Sequence, residues 1–354
     1  MDLSAEACRK MYFEMWRIRL FEEEADRQTH LGNVVGTLHM YCGEEAVAVG
    51  VCSNLTDDDY VLGTHRSHGH CLAKGAQADR MMAELFGKAT GTCAGKGGSM
   101  HVADFSRNML GANGIVGAGL GPTTGTALAS KLRGTDQVSV CFFGDGAAAR
   151  GTFHEAIAMG SLWNLPVVYV CENNQYQQWV PRKNVAVVDS VADMAGSYSI
   201  PGVSVDGQNL TEVCEASAEA IKRARSGSGP TLLEARTYRF HGHSLGDEQQ
   251  YRSTEEVQEW TNDRDPIKLA ADFMRKRDWL NSEQDQAIQA DAAAEIAAAV
   301  KFAEDSPWPT VDDVATDVVA REVAMVAAMA AAREVARAAA RAAARAVVME
   351  AARV

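Results

Sequence analysis

Two apolar runs, VSVCFF (Val138 to Phe143) and PVVYVC (Pro166 to Cys171), constrain the fold more than any other feature of the chain. Each is too short to cross a bilayer and suits a buried strand. Between them, TFHEAIAMGSLWN repeats apolar residues every three to four positions, as a helix does. A second helix, LTEVCEASAEAIKRARS, runs into the stop signal GSGP and then a third strand candidate, TLLEARTYRF (Thr231 to Phe240). The alternation predicts an α/β fold: a doubly wound, mostly parallel sheet with helices on both faces. Ligands in such sheets bind at the carboxyl ends of the strands. An amphipathic N-terminal helix is expected from Ala5 to about Gln28, with Met11, Met15, Ile18, Phe21 and Ala25 on its apolar face.

The 354 residues, 47% of them hydrophobic, suffice for one large domain, which we place at residues 1–320. Residues 321–354 form an Ala/Arg-rich tail, expected to be helical, with Arg333, Arg337, Arg341 and Arg345 one turn apart. Its reading as a basic docking helix competes with that of a solvated extension without chemistry. A formal charge of −13 argues against nucleic acid as a partner. No segment has the length or apolarity of a membrane span, and the acidic N-terminus lacks a secretory pattern. Eight cysteines without a Cys-x-x-Cys pair fit a reducing, cytoplasmic setting.

VSVCFF ends at Gly144-Asp145-Gly146, and the next strand ends at Glu172-Asn173-Asn174. Alone, Gly-Asp-Gly is a good turn, because glycine tolerates positive φ and aspartate bonds its own backbone. In a parallel sheet, however, both strand ends lie on one edge. Asp and Asn oxygens there suit Mg²⁺, which keeps positions for phosphate oxygens, and a helix starting near Gly151 aims amides at an anion. The dense glycines from Gly87 to Gly125, interleaved with Met, Leu, Ile and Val, indicate backbone packed closely against another group.

The chain resembles the α subunits of thiamine diphosphate-dependent dehydrogenases acting on acetoin, pyruvate or branched-chain 2-oxo acids. The resemblance runs from about Tyr12 to about Ala320 through GEEAVAVGV, THRSHGH, ELFGKATG, GKGGSMH, GANGIVG, FGDGAAARGTFHEA, LPVVYVCENNQY and TYRFHGHSLGD. It implies thiamine diphosphate and Mg²⁺ as cofactors, with Asp145, Asn174 and the Tyr176 carbonyl as metal ligands. Gly146 and Ala147 would line the diphosphate, His65 and Arg66 would lie near it, and Gly114 and Val116 would hold the aminopyrimidine. Arg239 and His243 would also face the cofactor, with His243, His241 and His68 as candidate catalytic residues. Four other histidines, His39, His70, His101 and His154, read as core or interface residues.

The resemblance further implies a β subunit that supplies the activating glutamate, two copies of each chain in a heterotetramer, and a lipoyl-bearing acyltransferase as acceptor. THRSHGH, ELFGKATG and MLGANGIVG are most similar to acetoin dehydrogenases, so acetoin is the expected substrate; FHGHS is nearer the pyruvate enzymes, the alternative. Ala149-Arg150 departs from the family pattern by placing a cation near the diphosphate edge. A scaffold that lost catalysis there is a competing reading from another class. A nucleotide-binding oxidoreductase is disfavoured, because no strand is followed by GxGxxG or GxxxxGK[ST].

Overall fold

A computed structural model describes residues 3–316. The chain divides into two compact units, Met1–Trp308 and Pro309–Val354. In the second, Thr310 caps a short 3-10 turn at Val311–Ala315 through reciprocal bonds with Asp313. The Ala/Arg-rich tail expected from Arg321 lies outside the described residues.

The first unit carries ten helices among its described residues: α1 (Ala5–His30), α2 (Glu45–Cys52), α3 (His68–Ala73), α4 (Ala78–Leu85), α5 (Leu120–Arg133), α6 (Gly151–Leu162), α7 (Leu210–Arg225), α8 (Thr254–Asp263), α9 (Pro266–Arg275) and α10 (Ser282–Asp305). Its strands are β1 (Tyr60–Leu62), β2 (Met109–Gly111), β3 (Ser139–Gly144), β4 (Val167–Asn173), the hairpin pair β5 (Tyr176–Gln177) and β6 (Val180–Pro181), β7 (Gly202–Asp206) and β8 (Thr231–Arg236). Six strands form one sheet in the order β2-β1-β3-β4-β8-β7, with every pairing parallel. The doubly wound α/β expectation holds.

Why β3 and β4 are apolar at successive positions follows from the layers. Val140 and Phe142 of β3 enter one core with residues of α1, α2, α4 and α7. Cys141 and Phe143 enter a second core with Leu120 and Ala127 of α5 and Phe153, Ala156 and Ile157 of α6. A strand buried on both faces has no polar side, so alternation disappears. β8 is shorter than expected: the ladder stops at Arg236, and the chain turns so that Tyr238 stacks on Trp260 (4.9 Å between centroids) and the Phe240 amide donates to the Cys42 carbonyl. Seven of the eight cysteines are buried and all are free thiols. Among the described residues no helix is long and apolar enough to cross a membrane.

Candidate active site

The register pairs Gly144 with Glu172, so β3 and β4 end side by side and deliver Asp145 and Asn174 to one sheet edge. A cavity of about 390 Å³ opens there. Neither Gly144 nor Gly146 has positive φ, so the turn reading does not account for them. Gly144 is extended (φ −80°, ψ 162°), and a Cβ placed on it meets nothing within 4 Å. These glycines keep the wall of the cavity open at the strand end.

Asp145 is buried, at 3% exposure, and its Oδ2 has no hydrogen-bond partner. Burial raises its pKa to about 6, against the pull of the Arg182 guanidinium. A buried carboxylate oxygen without a partner is a costly arrangement that a cation relieves. Of the two asparagines at the end of β4, Asn173 donates to Glu234 Oε1 (2.7 Å) and lies outside the cavity lining, whereas Asn174 lines the cavity and donates to Glu44 Oε1 (3.2 Å). Tyr176 also lines it, while its phenol donates outward to Glu256 Oε1 (2.6 Å). The donor set of Asp145, Asn174 and the Tyr176 carbonyl is all oxygen and fits Mg²⁺.

The cationic wall faces these oxygens. Arg66 is fixed by bonds to the Met40 carbonyl (2.5 Å) and the His243 carbonyl (3.2 Å). Arg239, at 1% exposure, is held by the Tyr251 hydroxyl (2.8 Å) and the Gln178 carbonyl, and its Nε stays unpartnered. His65, Gly114, Val116, Gly146, Ala147 and His243 line the same cavity, so most of the residues expected from the sequence converge on it. The His243 amide donates to Asp247 Oδ2 (2.7 Å), anchoring the segment after β8. Burial, then the Arg66 charge, pushes the His243 imidazole down to about 4, and the same causes push His39 to about 3. Both rings are neutral at physiological pH.

Two candidates lie elsewhere. His68 is fully buried between Glu22 Oε2 and Ser99 Oγ, each 3.0 Å from a ring nitrogen, because α3 starts at this residue and turns it into the core. His241 is exposed and outside the cavity lining, with its carbonyl taken by Arg252 (2.6 Å). His101 and His154 are exposed rather than core, and His70 is buried against Glu172 (2.7 Å).

Sequence reasoning missed three residues. His39 belongs to the cavity, not to a plain core; its only signal was its place just ahead of GEEAVAVGV. Glu44 is buried in the lining, and burial and the neighbouring Glu172 charge raise its pKa. Glu84 of α4 accounts for the first part of the glycine-dense stretch, residues 91–98: its carboxylate accepts from the amides of Cys93 (2.8 Å), Gly95 (2.8 Å), Gly97 (2.7 Å) and Gly98 (3.1 Å). A Cβ on Gly91 would lie 2.3 Å from its Oε2. The loop wrapped on that carboxylate leads into Met100, which lines the cavity.

Apolar residues at the rim are open to solvent, with Ile115 at 68% and Val116 at 47% exposure, so the cavity has an unclosed side. A sequence profile for the dehydrogenase E1 component matches residues 13–312. The α subunit of acetoin:2,6-dichlorophenolindophenol oxidoreductase from Bacillus subtilis is 48% identical over 318 residues, covering 90% of this chain and 95% of that protein. Its counterpart from Cupriavidus necator is 44% identical, covering 90% and 96%. The pyruvate dehydrogenase E1 component α subunit of Rhizobium meliloti is 39% identical, covering 90% and 91%. On these matches, with the sheet edge and cavity described above, the chain belongs to the dehydrogenase E1 component family.

Proposed function

We propose that this chain is the α subunit of a thiamine diphosphate- and Mg²⁺-dependent dehydrogenase that cleaves acetoin and passes the product to a lipoyl group on an acyltransferase. Family membership implies thiamine diphosphate, and the two relatives of highest identity named above carry acetoin in their names. The observation that carries the reading is Asp145, a buried carboxylate at the end of β3 whose Oδ2 has no partner. In this reading Asp145, Asn174 and the Tyr176 carbonyl hold Mg²⁺. Gly146, Ala147, His65, Arg66, Arg239 and His243 hold the diphosphate, and Gly114 and Val116 hold the aminopyrimidine.

The chemistry that thiamine diphosphate supplies when bound is cleavage of a carbon–carbon bond next to a carbonyl. This chain's residues bind and orient. Arg66 and Arg239, already fixed by carbonyl bonds, offer cations to phosphate without reorganising. His243, neutral, is the residue we assign to proton handling near substrate; His68 and His241, outside the cavity lining, receive no such role. The solvent-open rim at Ile115 and Val116 suits closure by a β subunit, in a heterotetramer with two copies of each chain. Residues 1–320 would form the cofactor-binding domain, the remainder a tail without an assigned role, and the cytoplasm the setting.

The test is reduction of 2,6-dichlorophenolindophenol by the chain co-purified with its β subunit, with acetoin or pyruvate as donor. Acetoin-dependent reduction that requires thiamine diphosphate and Mg²⁺, and is lost in Asp145→Ala, is expected. No activity with acetoin sinks the substrate assignment, and reduction with pyruvate alone replaces it. Absence of calorimetric thiamine diphosphate binding by the intact complex sinks the reading altogether.

A further inference from the structure

Three imidazoles in the cavity have no side-chain hydrogen-bond partner among the described residues. His39 precedes α2, His65 follows β1 and His243 follows β8, yet their rings meet, with centroids 4.7 Å (His39–His65), 5.0 Å (His39–His243) and 5.4 Å (His65–His243) apart. One ring nitrogen from each lies within 4.8 Å of the others. His39 is only 6% exposed, and the Nδ1 atoms of His39 and His243 are buried without partners. Buried polar groups are nearly always satisfied, so three convergent bare rings call for a ligand.

We propose that His39, His65 and His243 form a binding site for a borderline transition-metal ion, Zn²⁺ being the expected one. Neutral imidazole nitrogens are the ligands such ions take, whereas Mg²⁺ demands oxygen. A tetrahedral ion with Zn–N bonds of about 2.0–2.1 Å needs nitrogens about 3.4 Å apart, so the rings close by about an ångström and leave a fourth position to water. The lining sets Asp145 and Glu172 against Arg66, Arg150 and Arg239, with Glu44 pushed up to about 8 by burial and by Glu172, so the ion has to bind against the Arg66 and Arg239 charges that, after burial, also lower the three histidines. Arg66 and Arg239 are also engaged by carbonyls. Ligand type thus separates two metal chemistries within one cavity, the oxygen set of Asp145, Asn174 and the Tyr176 carbonyl and the nitrogen set of the three histidines. Because His65 and His243 are shared with the proposed diphosphate site, occupation by Zn²⁺ excludes the cofactor and inhibits. That inhibition rests on the thiamine diphosphate reading; the metal binding does not.

The experiment titrates Co²⁺, as a spectroscopic stand-in for Zn²⁺, into the untagged complex with its β subunit, free of thiamine diphosphate and Mg²⁺. The expected result is one Co²⁺ per chain with the intense d–d bands of a tetrahedral ion, bleached by equimolar Zn²⁺ and indifferent to excess Mg²⁺. His39→Ala should weaken binding at least ~10-fold, the scale of losing even an outer partner of a ligand. His154→Ala, at an exposed histidine of α6, should leave binding unchanged. His39→Gln, with circular dichroism to verify folding, repeats the test should the alanine variant not fold. Lack of tetrahedral bands overturns the proposal. So do bands that persist in both His39 variants and vanish in Asp145→Ala, since the ion would then sit on carboxylates. Calorimetry separates the two readings: a complex that binds Co²⁺ at the histidines but never thiamine diphosphate keeps this site and loses the proposed function. One that binds only thiamine diphosphate does the reverse.

Discussion

Removing the charge of Asp145 should make the metal-free protein more stable while destroying its metal site. The carboxylate is 3% exposed with Oδ2 unpartnered, and burial lifts its pKa from 3.8 to about 6. That rise corresponds to about 3 kcal/mol of destabilisation once the group is ionised. Asparagine keeps the shape without the charge, but its new amide donors need acceptors, a cost of about 1 kcal/mol. The net gain expected for Asp145→Asn is about 1–3 kcal/mol. The sign of the pH dependence follows from a raised carboxylate pKa. Below about pH 4 both folded and unfolded chains carry the protonated acid and the variant has no advantage; the gap opens between about pH 4 and 6 and is flat above. Urea unfolding of the metal-free complex at about pH 4.5 and about pH 8 reads both the size and the slope. Adding Mg²⁺ with thiamine diphosphate should reverse the order, because only the wild type gains binding free energy. An asparagine variant less stable than the wild type at about pH 8 without metal, or a gap that ignores pH, refutes the reasoning.

Glu84→Gln replaces one of two oxygens that each accept two amide bonds, so two loop amides face a donor; a loss of about 2–4 kcal/mol is expected. A thermal-unfolding change under about 0.5 kcal/mol would show that water replaces the carboxylate. Gly43→Ala meets a double obstacle, φ of +98° and a Cβ 2.3 Å from the Tyr238 carbonyl oxygen, and should cost about 3 kcal/mol or more in denaturant unfolding. His39→Gln removes an imidazole that burial holds down to about 3. The wild type loses stability as pH falls from about 6.5 toward that value, so the variant's acid-unfolding midpoint, followed by circular dichroism, should lie lower.

The sheet was legible because parallel strands buried on both faces leave continuous apolar runs, and β3, α6 and β4 appear in the sequence nearly at their structural bounds. Asp145 and Asn174 were legible for the same reason, since strand ends fix where they emerge. What escaped depends on contacts between segments. Glu84 in AELFGKATG looks like any solvent-facing acid of a helix until a loop closes over it. His39 and Glu44 reach the cavity only because the stretch ahead of α2 crosses the sheet edge beside Arg66. His68 shares a short run with Arg66, but a turn of α3 sends it the other way, into contact with Glu22. The third strand was read too long because Tyr238 and Phe240 keep the strand's apolar period while packing as core residues of a departing segment.

The Glu84 carboxylate makes the loop over residues 91–98 a frame whose form is specified from a helix outside it. Main-chain amides supply every one of those bonds, and the Cys93 sulfur adds contacts to His101 and Ala103, so the path is set by the backbone, its glycines and Cys93. Met100, just beyond, can therefore be exchanged without redrawing that path. A lineage that retained Glu84 would be able to vary what the cavity wall presents to different substrates by single substitutions, because shape and chemistry are encoded at separate positions.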